Sequence, residues 1–412
     1  MGKTVVQLGY GMQGRASLFD LLQSEQVDSV IVASRSPDLF EEISRLRSKK
    51  VTAVTLDASD PAAVKELIDK ADVVVELLPG FLAFQTAKAA VETGVSLVSS
   101  MYLTNPGEQD PRKIEAQRKE LEALDKMARE KGITILQEFG MDPGIDLVLG
   151  NRALKELDEI LAFHSYGAGF PELESADNPL RYKFTWSIIG VMRSYLRPAK
   201  ILDNGRVLEI PADEMFSSKN THILDLPEMG GPLECFPNGD SEYFARAFGL
   251  EGQVLSMGRY ICRWPGHGAF WETMAKSGFL GEEPIRFGEK EVSPVEFCAG
   301  LLGSQEQFFY KDDERDVALI RSDVRGLKAG KKIRVVWQIT DKRDLQTGFT
   351  AMQRTVGFPV SIGAQMILDG RLSRKGVVDP TEVPFDLFME ELQKRGLVAN
   401  RLEEEWKGAF NP

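Results

Sequence analysis

The sequence predicts an α/β fold in its amino-terminal part, built on a doubly wound parallel sheet, and an α+β region after it. Two observations carry this prediction. Short apolar segments alternate with amphipathic segments up to about residue 145, and the sequence then becomes rich in aromatic residues, proline and glycine after about residue 150. Regular alternation favours a parallel sheet, because two parallel strands need a crossover connection of a dozen or more residues.

The first part contains six apolar runs and four segments with helical spacing of apolar residues. Apolar runs of four to eight residues bounded by turn residues are typical of buried strands, and apolar residues recurring at three- and four-residue intervals indicate helices. The predicted strands are residues 3–8, 29–34, 52–56, 72–77, 96–99 and 133–136, and the predicted helices are residues 15–23, 61–70, 84–93 and 111–131.

The second part has a less regular pattern that indicates a mixed or antiparallel sheet. Its predicted strands are residues 182–186, 205–211, 257–265 and 332–339, and helical spacing returns at residues 360–368 and 384–394. The sequence therefore predicts three regions. Residues 1–145 form the parallel-sheet domain, residues 146–345 form the α+β domain, and residues 346–412 form a helical segment that packs back on the first domain.

Composition excludes several classes of protein. Hydrophobic residues make up 43% and charged residues 27% of the chain, which is typical of soluble globular proteins. A net charge of -12 disfavours nucleic acid as a partner. No apolar run approaches the ~20 residues of a membrane-spanning helix, and no secretory signal pattern is present. The three cysteines and three histidines show no metal-ligand spacing, so we expect no metal site and a reducing, cytoplasmic location.

A glycine-rich turn follows the first predicted strand at once. Gly9 permits a tight turn, Gly11 lets the backbone approach a pyrophosphate, and Gly14 allows close packing of helix on strand. Met12 and Gln13 lie where the next helix begins, and the free N–H groups of a helix start attract phosphate. A strand, this turn and an amphipathic helix together predict a Rossmann domain that binds a dinucleotide.

The end of the second strand indicates which dinucleotide is preferred. NAD enzymes usually place an acidic residue there to bind the ribose, but this chain has Ser34 and Arg35. Arg35 can stack on adenine or pair with a 2′-phosphate, or it can be a solvated turn residue. Asp57 after the third strand either closes the adenine pocket or caps the helix at Pro61. The sequence therefore predicts NADP(H), with NAD(H) as the alternative.

Three further turns lie at the carboxyl ends of predicted strands. Leu78 and Pro79 follow the fourth strand, Tyr102 follows the fifth, and Asp142 follows the sixth. Ligands of open α/β sheets bind at this edge. We therefore predict that Leu78 and Pro79 contact the cofactor and that Tyr102 and Asp142 lie where chemistry occurs, although an Asp-Pro-Gly sequence is also common in ordinary turns.

Over nearly its whole length the chain resembles the saccharopine dehydrogenase family, in particular its glutamate-forming reductases. The motifs that carry the resemblance are residues 9–14, 140–146, 177–187, 236–241 and 355–359, of which the Asn-Pro-Leu-x-Tyr-Lys-Phe-x-Trp-Ser string is the most specific. The resemblance implies a Rossmann domain with an inserted substrate domain, a homodimer formed through that domain, and reversible hydride transfer between a nicotinamide and the imine that links two amino acids.

The resemblance also implies roles for individual residues. Tyr102 and Asp142 correspond to the pocket tyrosine and to the aspartate of the family's Asp-Pro-Gly-Ile-Asp motif, and we predict both as catalytic. Arg259 and Arg263 correspond to paired arginines, which suit a substrate with several carboxylates. Asn178 belongs to the most specific motif and is predicted to bind substrate. Lys183 in the same motif either binds a substrate carboxylate or extends from a strand edge into solvent.

Some features depart from the reductases. Gly167 stands where they have a pocket cysteine, residues 105–118 insert a charged segment, and several motifs are more similar to those of lysine 6-dehydrogenases. The alternatives are therefore a lysine 6-dehydrogenase or a carboxypolyamine dehydrogenase, each acting on a small amino-acid substrate. A scaffold that binds a dinucleotide without catalysis is an alternative from another class.

Overall fold

The computed structural model describes residues 2–36, 38–108 and 110–408. The chain forms two compact units, the first from Met1–Val148 and Gln353–Val398 and the second from Leu149–Met352 and Ala399–Pro412. Each unit is thus built from two segments of the chain, and most of the second unit lies between the two segments of the first. Residues 346–412 were predicted as one helical segment, but Ala399–Glu405 forms a strand in the sheet of the second unit.

The strands are β1 (Thr4–Leu8), β2 (Ser29–Ser34), β3 (Val51–Thr55), β4 (Val73–Glu76), β5 (Ser96–Ser99), β6 (Thr134–Leu136), β7 (Glu159–Pro171), β8 (Ala199–Asp203), β9 (Arg206–Ile210), β10 (His222–Leu224), β11 (Leu233–Pro237), β12 (Ser256–Arg263), β13 (Ile285–Phe287), β14 (Lys290–Val292), β15 (Asp316–Lys328), β16 (Lys331–Lys342), β17 (Gly376–Val378) and β18 (Ala399–Glu405). The helices are α1 (Met12–Gln23), α2 (Leu39–Arg45), α3 (Pro61–Ile68), α4 (Ala83–Thr93), α5 (Pro111–Glu130), α6 (Ile145–Leu154), α7 (Ile188–Ser194), α8 (Ser241–Ala247), α9 (His267–Lys276), α10 (Pro294–Gly303), α11 (Ala351–Leu368) and α12 (Phe385–Lys394).

The first unit is built on a seven-stranded parallel sheet, in the order β17-β6-β5-β4-β1-β2-β3. Every residue of β4 and β5 is buried, as expected for central strands covered on both faces by helices. The strand order reverses between β1 and β4, and this reversal opens the crevice in which such sheets bind ligands. The predicted doubly wound parallel sheet is confirmed.

The carboxyl-terminal part of the first unit is tied to α1 by a buried ion pair. Arg395 donates to both carboxylate oxygens of Asp20, at 2.6 and 2.9 Å, and Asp20 also accepts from Ser361 at 2.6 Å and Gln365 at 2.9 Å. The side chains of Asp20 and Arg395 are 9% and 13% exposed. A buried pair of this kind becomes costly when either partner is removed, so the contact is important for the stability of this unit.

The second unit contains a nine-stranded mixed sheet. Its main path runs β10-β11-β12-β7-β15-β16-β18, with β8 on β12 and β9 on β8. Strand β12 pairs with β7 in parallel and with β11 in antiparallel orientation. The predicted α+β region is therefore confirmed, and the strands predicted near residues 205–211, 257–265 and 332–339 are present as β9, β12 and β16.

The prediction of a strand at residues 182–186 is wrong. This segment is irregular, with Arg181 at a positive φ of 48° just before it. Its backbone groups bind elsewhere: the Tyr182 carbonyl accepts from the Asn178 amide at 2.8 Å, and the Phe184 N–H donates to the Phe308 carbonyl at 2.9 Å. The aromatic side chains that suggested a strand instead fill the core of the second unit, where Tyr182 and Phe184 are buried.

Candidate active site

The glycine turn of the first unit has the geometry that a pyrophosphate requires. Gly9 has a φ of 103°, and a Cβ there would lie 2.5 Å from the Leu77 carbonyl oxygen. A Cβ on Gly14 would lie 2.5 Å from the Gly9 carbonyl oxygen, whereas a Cβ on Gly11 would meet no atom within 4 Å. Two glycines therefore permit close packing, and Gly11 borders open space that a phosphate can enter.

The start of α1 faces this turn without a competing anion. Gly11 is the N-cap residue and provides no side-chain cap, and the first turn contains no acidic residue. The first N–H groups of a helix, here those of Met12, Gln13 and Gly14, have no partner within the helix. Together with the positive end of the helix dipole, they suit a phosphate group.

Gln7 is a residue of this turn that the sequence analysis missed. Its side chain is buried in β1, and its amide nitrogen donates to the carbonyls of Gly9 at 3.0 Å and Gly14 at 2.8 Å. One side chain thus holds both ends of the glycine turn. A polar residue within the otherwise apolar run before Gly9 is the signal that could have identified it.

On the other side of β1, Ser34 ends β2 and Arg35 follows it, while Asp57 lies two residues after the end of β3. Arg35 and Asp57 are both exposed. The Ser59 backbone N–H and hydroxyl bind Asp57 and, together with the charge of Arg35, lower the pKa of its carboxyl. The helix cap at Pro61 is Asp60, which accepts from the N–H groups of residues 62 and 63, so the capping alternative for Asp57 is wrong.

The turns after β4, β5 and β6 lie side by side at the carboxyl edge of the same sheet. The Phe139 N–H donates to the Ser99 carbonyl at 2.8 Å, and the Glu138 N–H donates to the Met101 carbonyl at 3.1 Å. These bonds bring the chain next to Tyr102 alongside the segment that leads to Asp142. Both side chains are half-buried. Leu78 is half-buried and Pro79 is exposed in the neighbouring turn.

The segment that carries Asp142 is tightly folded. The Asp142–Pro143 peptide bond is cis, and a Cβ on Gly144 would lie 2.1 Å from the Gly140 carbonyl oxygen. Asp146 accepts from the Gly144 N–H at 2.8 Å. Burial is the main cause that raises the pKa of the Asp146 carboxyl to about 7, and the charge of Glu138 adds to it. The Asp-Pro-Gly-Ile-Asp turn is thus half-buried at Asp142 and Pro143 and buried from Gly144 to Asp146, rather than solvated.

In the second unit, Arg259 and Arg263 lie on the same face of β12, and both are at least nine-tenths buried. The guanidinium of Arg259 lies 3.8 Å from the centroid of the Phe244 ring. Arg263 lies 4.9 Å from the Tyr182 ring and donates to the Cys262 carbonyl at 2.9 Å. Among the residues that the structure describes, no carboxylate pairs with Arg263.

Unpartnered polar groups surround Arg263. Its own Nε, the Nδ1 of His267, the indole N–H of Trp271 and the hydroxyl of Tyr310 are buried without a hydrogen-bond partner in the part of the chain that is described. His267 is bound through Nε2 to the Tyr195 hydroxyl at 2.9 Å. Buried polar groups are normally hydrogen-bonded, so this cluster suits a polar molecule that carries negative charge.

Two other predicted substrate ligands have structural roles. The amide of Asn178 donates to the carbonyls of Tyr182 and Gln307 and accepts from the N–H groups of Leu180 and Tyr182. An amide has two donor hydrogens and two acceptor lone pairs, so none is left for a substrate. The structure thus gives Asn178 a role in holding this loop, and its contact with substrate stays a prediction that these bonds do not favour.

Lys183 does not extend into solvent, and its charge is already balanced. Its ammonium group lies 2.9 Å from Asp177 and 2.7 Å from Glu314, and its side chain is 1% exposed. Burial opposes the charge of Lys183, but Glu314 and Asp177 outweigh it and raise the pKa of the ammonium. The Lys311 ammonium also lies 3.6 Å from Glu314, so two cations face two carboxylates and the charge of Lys183 is balanced within the chain. The alternative that Lys183 extends into solvent is therefore wrong, whereas its contact with a substrate carboxylate stays a prediction.

A cleft of about 470 Å³ lies beside this ion pair in the second unit, and its lining residues are Asp177, Lys183, Glu306, Gln307, Phe309, Tyr310 and Lys311. Over the described residues, no cluster of three or more metal-ligating side chains occurs. No described helix combines the length and the apolar character needed to span a membrane.

Comparison with known proteins gives relatives over the whole chain. The alpha-aminoadipic semialdehyde synthase of Arabidopsis thaliana is 26% identical and aligns with 84% of this chain and 38% of its own length. The mouse protein of that name is 25% identical over 97% of this chain and 47% of its own length. The Saccharomyces cerevisiae saccharopine dehydrogenase [NADP(+), L-glutamate-forming] is 25% identical over 96% of this chain and 98% of its own length. The chain thus spans less than half the length of the first two relatives.

Solved structures agree on the fold. The apo saccharopine dehydrogenase (L-Glu forming) of Saccharomyces cerevisiae matches with a TM-score of 0.81 at 22% identity and covers 98% of this chain and 100% of its own. The homospermidine synthase of Legionella pneumophila in complex with NAD matches with a TM-score of 0.62 at 12% identity, over 100% of this chain and 95% of its own.

Family models identify both parts of the chain. Residues 5–136 match the saccharopine dehydrogenase NADP binding domain, which contains the glycine turn and the turns after β2 to β5. Residues 140–397 match the saccharopine dehydrogenase C-terminal domain, which contains the Asp142 segment and both buried arginines. Because the second match alone covers more than half of its residues, the chain belongs to the saccharopine dehydrogenase family.

Proposed function

We propose that this chain is an NADP(H)-dependent oxidoreductase of the L-glutamate-forming saccharopine dehydrogenase type, which transfers hydride reversibly between the nicotinamide and the carbon of the C–N bond of saccharopine. The domain families and the names of the fungal relatives support this proposal. The observation that carries it is the meeting of the glycine turn, the Tyr102 turn and the Asp142 turn at one edge of the parallel sheet. Ligands of such sheets bind at this edge.

The dinucleotide is held by the first unit. Gly11 and the first N–H groups of α1, at Met12, Gln13 and Gly14, bind the pyrophosphate, while Gly9 supplies the tight turn. Leu78 and Pro79 support the nicotinamide half. The nicotinamide supplies hydride transfer at its C4, so the protein has to hold the reacting carbon close to that atom and exclude water.

The turn after β2 provides the preference for the phosphorylated cofactor. Arg35 is exposed, and the ordinary bidentate geometry of a guanidinium suits a 2′-phosphate. Ser34 accepts from the Ser36 N–H at 3.2 Å and shapes this turn. Asp57 lies just beyond the end of the neighbouring strand, where the charge of Arg35 contributes to lowering the pKa of its carboxyl, and we assign it to the same adenine side of the site.

Asp142 and Tyr102 handle the proton of the amine. A secondary amine is protonated at neutral pH, so its nitrogen has to lose a proton before its lone pair can form the C=N bond while hydride leaves the neighbouring carbon for the nicotinamide. A carboxylate or a phenol close to the nitrogen performs this transfer. We assign the proton to Asp142, and we assign to Tyr102 the hydrogen bond that orients the amine.

The buried arginines of β12 bind substrate carboxylates. Saccharopine carries three carboxylates, and guanidinium groups bind carboxylates through paired N–H donors. A buried guanidinium without an acidic partner is costly, so Arg263 favours an anion from outside the chain. Arg259, four residues earlier on the same face of the strand, is assigned to a second carboxylate of the same molecule.

The test is an oxidation assay with the purified full-length chain. NADP+ or NAD+ is mixed in turn with saccharopine, L-lysine and carboxynorspermidine, and the absorbance of reduced nicotinamide is followed. We expect turnover with saccharopine and a higher kcat/KM with NADP+ than with NAD+. A higher kcat/KM with lysine or with carboxynorspermidine than with saccharopine would mean that this amine is the substrate. Tight cofactor binding without any turnover would indicate a scaffold.

We also propose that the protein is a cytoplasmic homodimer that associates through its second unit, as the family resemblance implies. Light scattering coupled to size-exclusion chromatography should give twice the 45.9 kDa of the chain. A monomer at micromolar concentration would contradict the dimer.

A further inference from the structure

Glu76 is the last residue of β4, and its carboxyl group is buried with no exposed surface. One carboxylate oxygen accepts from the Leu78 N–H at 2.7 Å, and the other accepts from the Ser99 hydroxyl. The Ser99 oxygen in turn accepts from the Met101 N–H at 3.0 Å. A single buried side chain thus links the turn after β4 to the turn after β5.

These two turns also pack against their neighbours. The Leu77 carbonyl oxygen would lie 2.5 Å from a Cβ on Gly9, and Gly80 faces the sulfur of Met101. The other side of the second turn is held by the Glu138 N–H, which donates to the Met101 carbonyl. Movement of either turn would therefore change the space beside the glycine turn and the position of the residue after Met101, which is Tyr102.

The sheet topology indicates which half of the dinucleotide lies here. The glycine turn at β1 receives the pyrophosphate, and the turns of β2 and β3 lie on one side of it. Strands β4 and β5 lie on the other side. A dinucleotide crosses the sheet at this reversal, with one mononucleotide over each half. The Arg35 side takes the adenosine part, so the nicotinamide part lies over the turns that Glu76 links.

The fold itself does not require a carboxyl group at this position. The other three residues of β4 are valines, and the register partners of Glu76 are Leu8 on β1 and Ser99 on β5. Burial raises the pKa of the Glu76 carboxyl to about 7, the two hydrogen bonds oppose this, and no charged side chain among the described residues contributes. Burying a carboxyl group costs free energy, so its presence in this strand suggests a role beyond packing.

We propose that Glu76 is a positioning residue that fixes the turns 77–80 and 99–102 in the arrangement that receives the nicotinamide half of the cofactor. The inference rests on the proposed dinucleotide site, and it concerns only the half of the cofactor beyond the pyrophosphate. Glu76 acts through Leu78, Ser99 and Met101.

The test separates the two halves of the cofactor. Dissociation constants are measured at pH 7.5 for NADPH, by its own fluorescence, and for adenosine 2′,5′-bisphosphate, by displacement calorimetry. Glu76→Ala removes both hydrogen bonds of the carboxylate. We expect it to weaken the binding of NADPH at least about tenfold and to change the affinity for adenosine 2′,5′-bisphosphate less than about twofold. Ser99→Ala removes the bond to Glu76 and the bond from the Met101 N–H but keeps the Glu76 bond to Leu78, and it should weaken NADPH binding about threefold to tenfold.

Glu76→Gln provides the conservative variant, because its amide can still accept from the Leu78 N–H and can donate to the Ser99 oxygen. Its NADPH affinity should stay within about threefold of wild type at pH 7.5. The affinity for NADPH should change more across pH 7 in wild type than in Glu76→Gln, since the variant keeps the Asp146 carboxyl, which titrates in the same range, but lacks that of Glu76. Glu92→Gln, an exposed change on α4, is the matched control and should leave both affinities unchanged.

Three results would overturn the inference. Equal losses of NADPH and of adenosine 2′,5′-bisphosphate in Glu76→Ala would mean that the change disturbs the whole unit. Unchanged NADPH affinity in Ser99→Ala, which removes only a hydroxyl, would mean that the link is not used. A pH response of NADPH binding that is equally large in Glu76→Gln and in wild type would assign it to another group, such as Asp146. Failure of wild type to bind either ligand would instead refute the proposed dinucleotide site.

Discussion

Asp146 should make the stability of the protein fall as the pH rises, and Asp146→Asn should remove this effect. The carboxyl is 1% exposed, and burial raises its pKa to about 7 from an ordinary value of 3.8. The folded state therefore holds a proton between these two values that the unfolded state releases. Stability from this group is complete below pH 3.8 and is lost as the pH rises through about 7.

The size of the effect follows from the separation of the two pKa values. A shift of about three units, at about 1.4 kcal/mol per unit, corresponds to about 4 kcal/mol, of which about 3 kcal/mol lies between pH 5 and pH 8. Asparagine keeps an oxygen that accepts from the Gly144 N–H but does not titrate. The stability of Asp146→Asn relative to wild type should therefore rise by about 3 kcal/mol over this pH range.

The assay is urea unfolding followed by two signals. All five tryptophans lie in the second unit, so their fluorescence reports on that unit, whereas far-ultraviolet circular dichroism reports on both. Asp146 belongs to the first unit, and its effect should appear in the circular dichroism transition. Asp60→Asn, at the exposed cap of α3, is the control and should show no increase with pH. A stability difference for Asp146→Asn that is constant from pH 5 to pH 8 would refute the reasoning.

Four further changes test the remaining assignments. Arg35→Ala should weaken the binding of NADPH about tenfold and that of NADH less than about twofold in fluorescence titrations. Equal losses of affinity for the two cofactors would contradict a 2′-phosphate contact. Asp142→Asn should lower kcat about 100-fold without changing the Kd of NADPH, and an unchanged rate would remove Asp142 from catalysis. Arg263→Gln should raise the KM for saccharopine at least about tenfold without lowering the melting temperature, because it removes a buried unpaired charge; a loss of stability with unchanged KM would indicate a structural role. Asp20→Ala should destabilise the protein by about 3 kcal/mol in urea, and a loss below about 1 kcal/mol would show that the buried pair contributes little.

The parallel sheet was predictable because its strands are short, mostly apolar and regularly spaced between helical segments. Every residue of β4 and β5 is buried, and their apolar centres, at residues 73–75 and 97–98, carry the signal although Glu76 and two serines lie at the ends of these strands. The long strands β7 and β15 of the second unit were missed. They carry buried polar residues, among them His164 and Asp323, whose partners come from other strands, and such residues break the apolar pattern on which the prediction depends.

The edge strand β17 could not be predicted for a different reason. It has only three residues, and its place beside β6 depends on a contact far away in sequence, where Asp125 of α5 accepts from the Val377 N–H at 2.8 Å. A segment of this length has no periodicity to detect. Its structure is determined by the sheet edge and the helix that it meets rather than by its own sequence.

The glycine turn illustrates what a motif reveals and what it leaves out. The spacing of its glycines identified the turn, because each glycine is required by a local backbone contact. Gln7 and Glu76 were missed, since both lie within strands and act by binding backbone or hydroxyl groups of a neighbouring turn. A polar residue in an otherwise apolar central strand is the general signal for such residues, and it applies to both positions.

Lys183 and Arg263 show why the sequence could not separate a structural cation from one available to a ligand. Both are basic residues among aromatic residues, and both were predicted to bind a carboxylate. The distinction depends on Glu314, which lies 131 residues from Lys183 in the sequence but 2.7 Å from its ammonium group in the structure. No described carboxylate approaches Arg263 in this way. The charge of Lys183 is therefore neutralised within the chain, whereas the charge of Arg263 favours an anion supplied by the substrate, which is the role that the Arg263→Gln measurement tests.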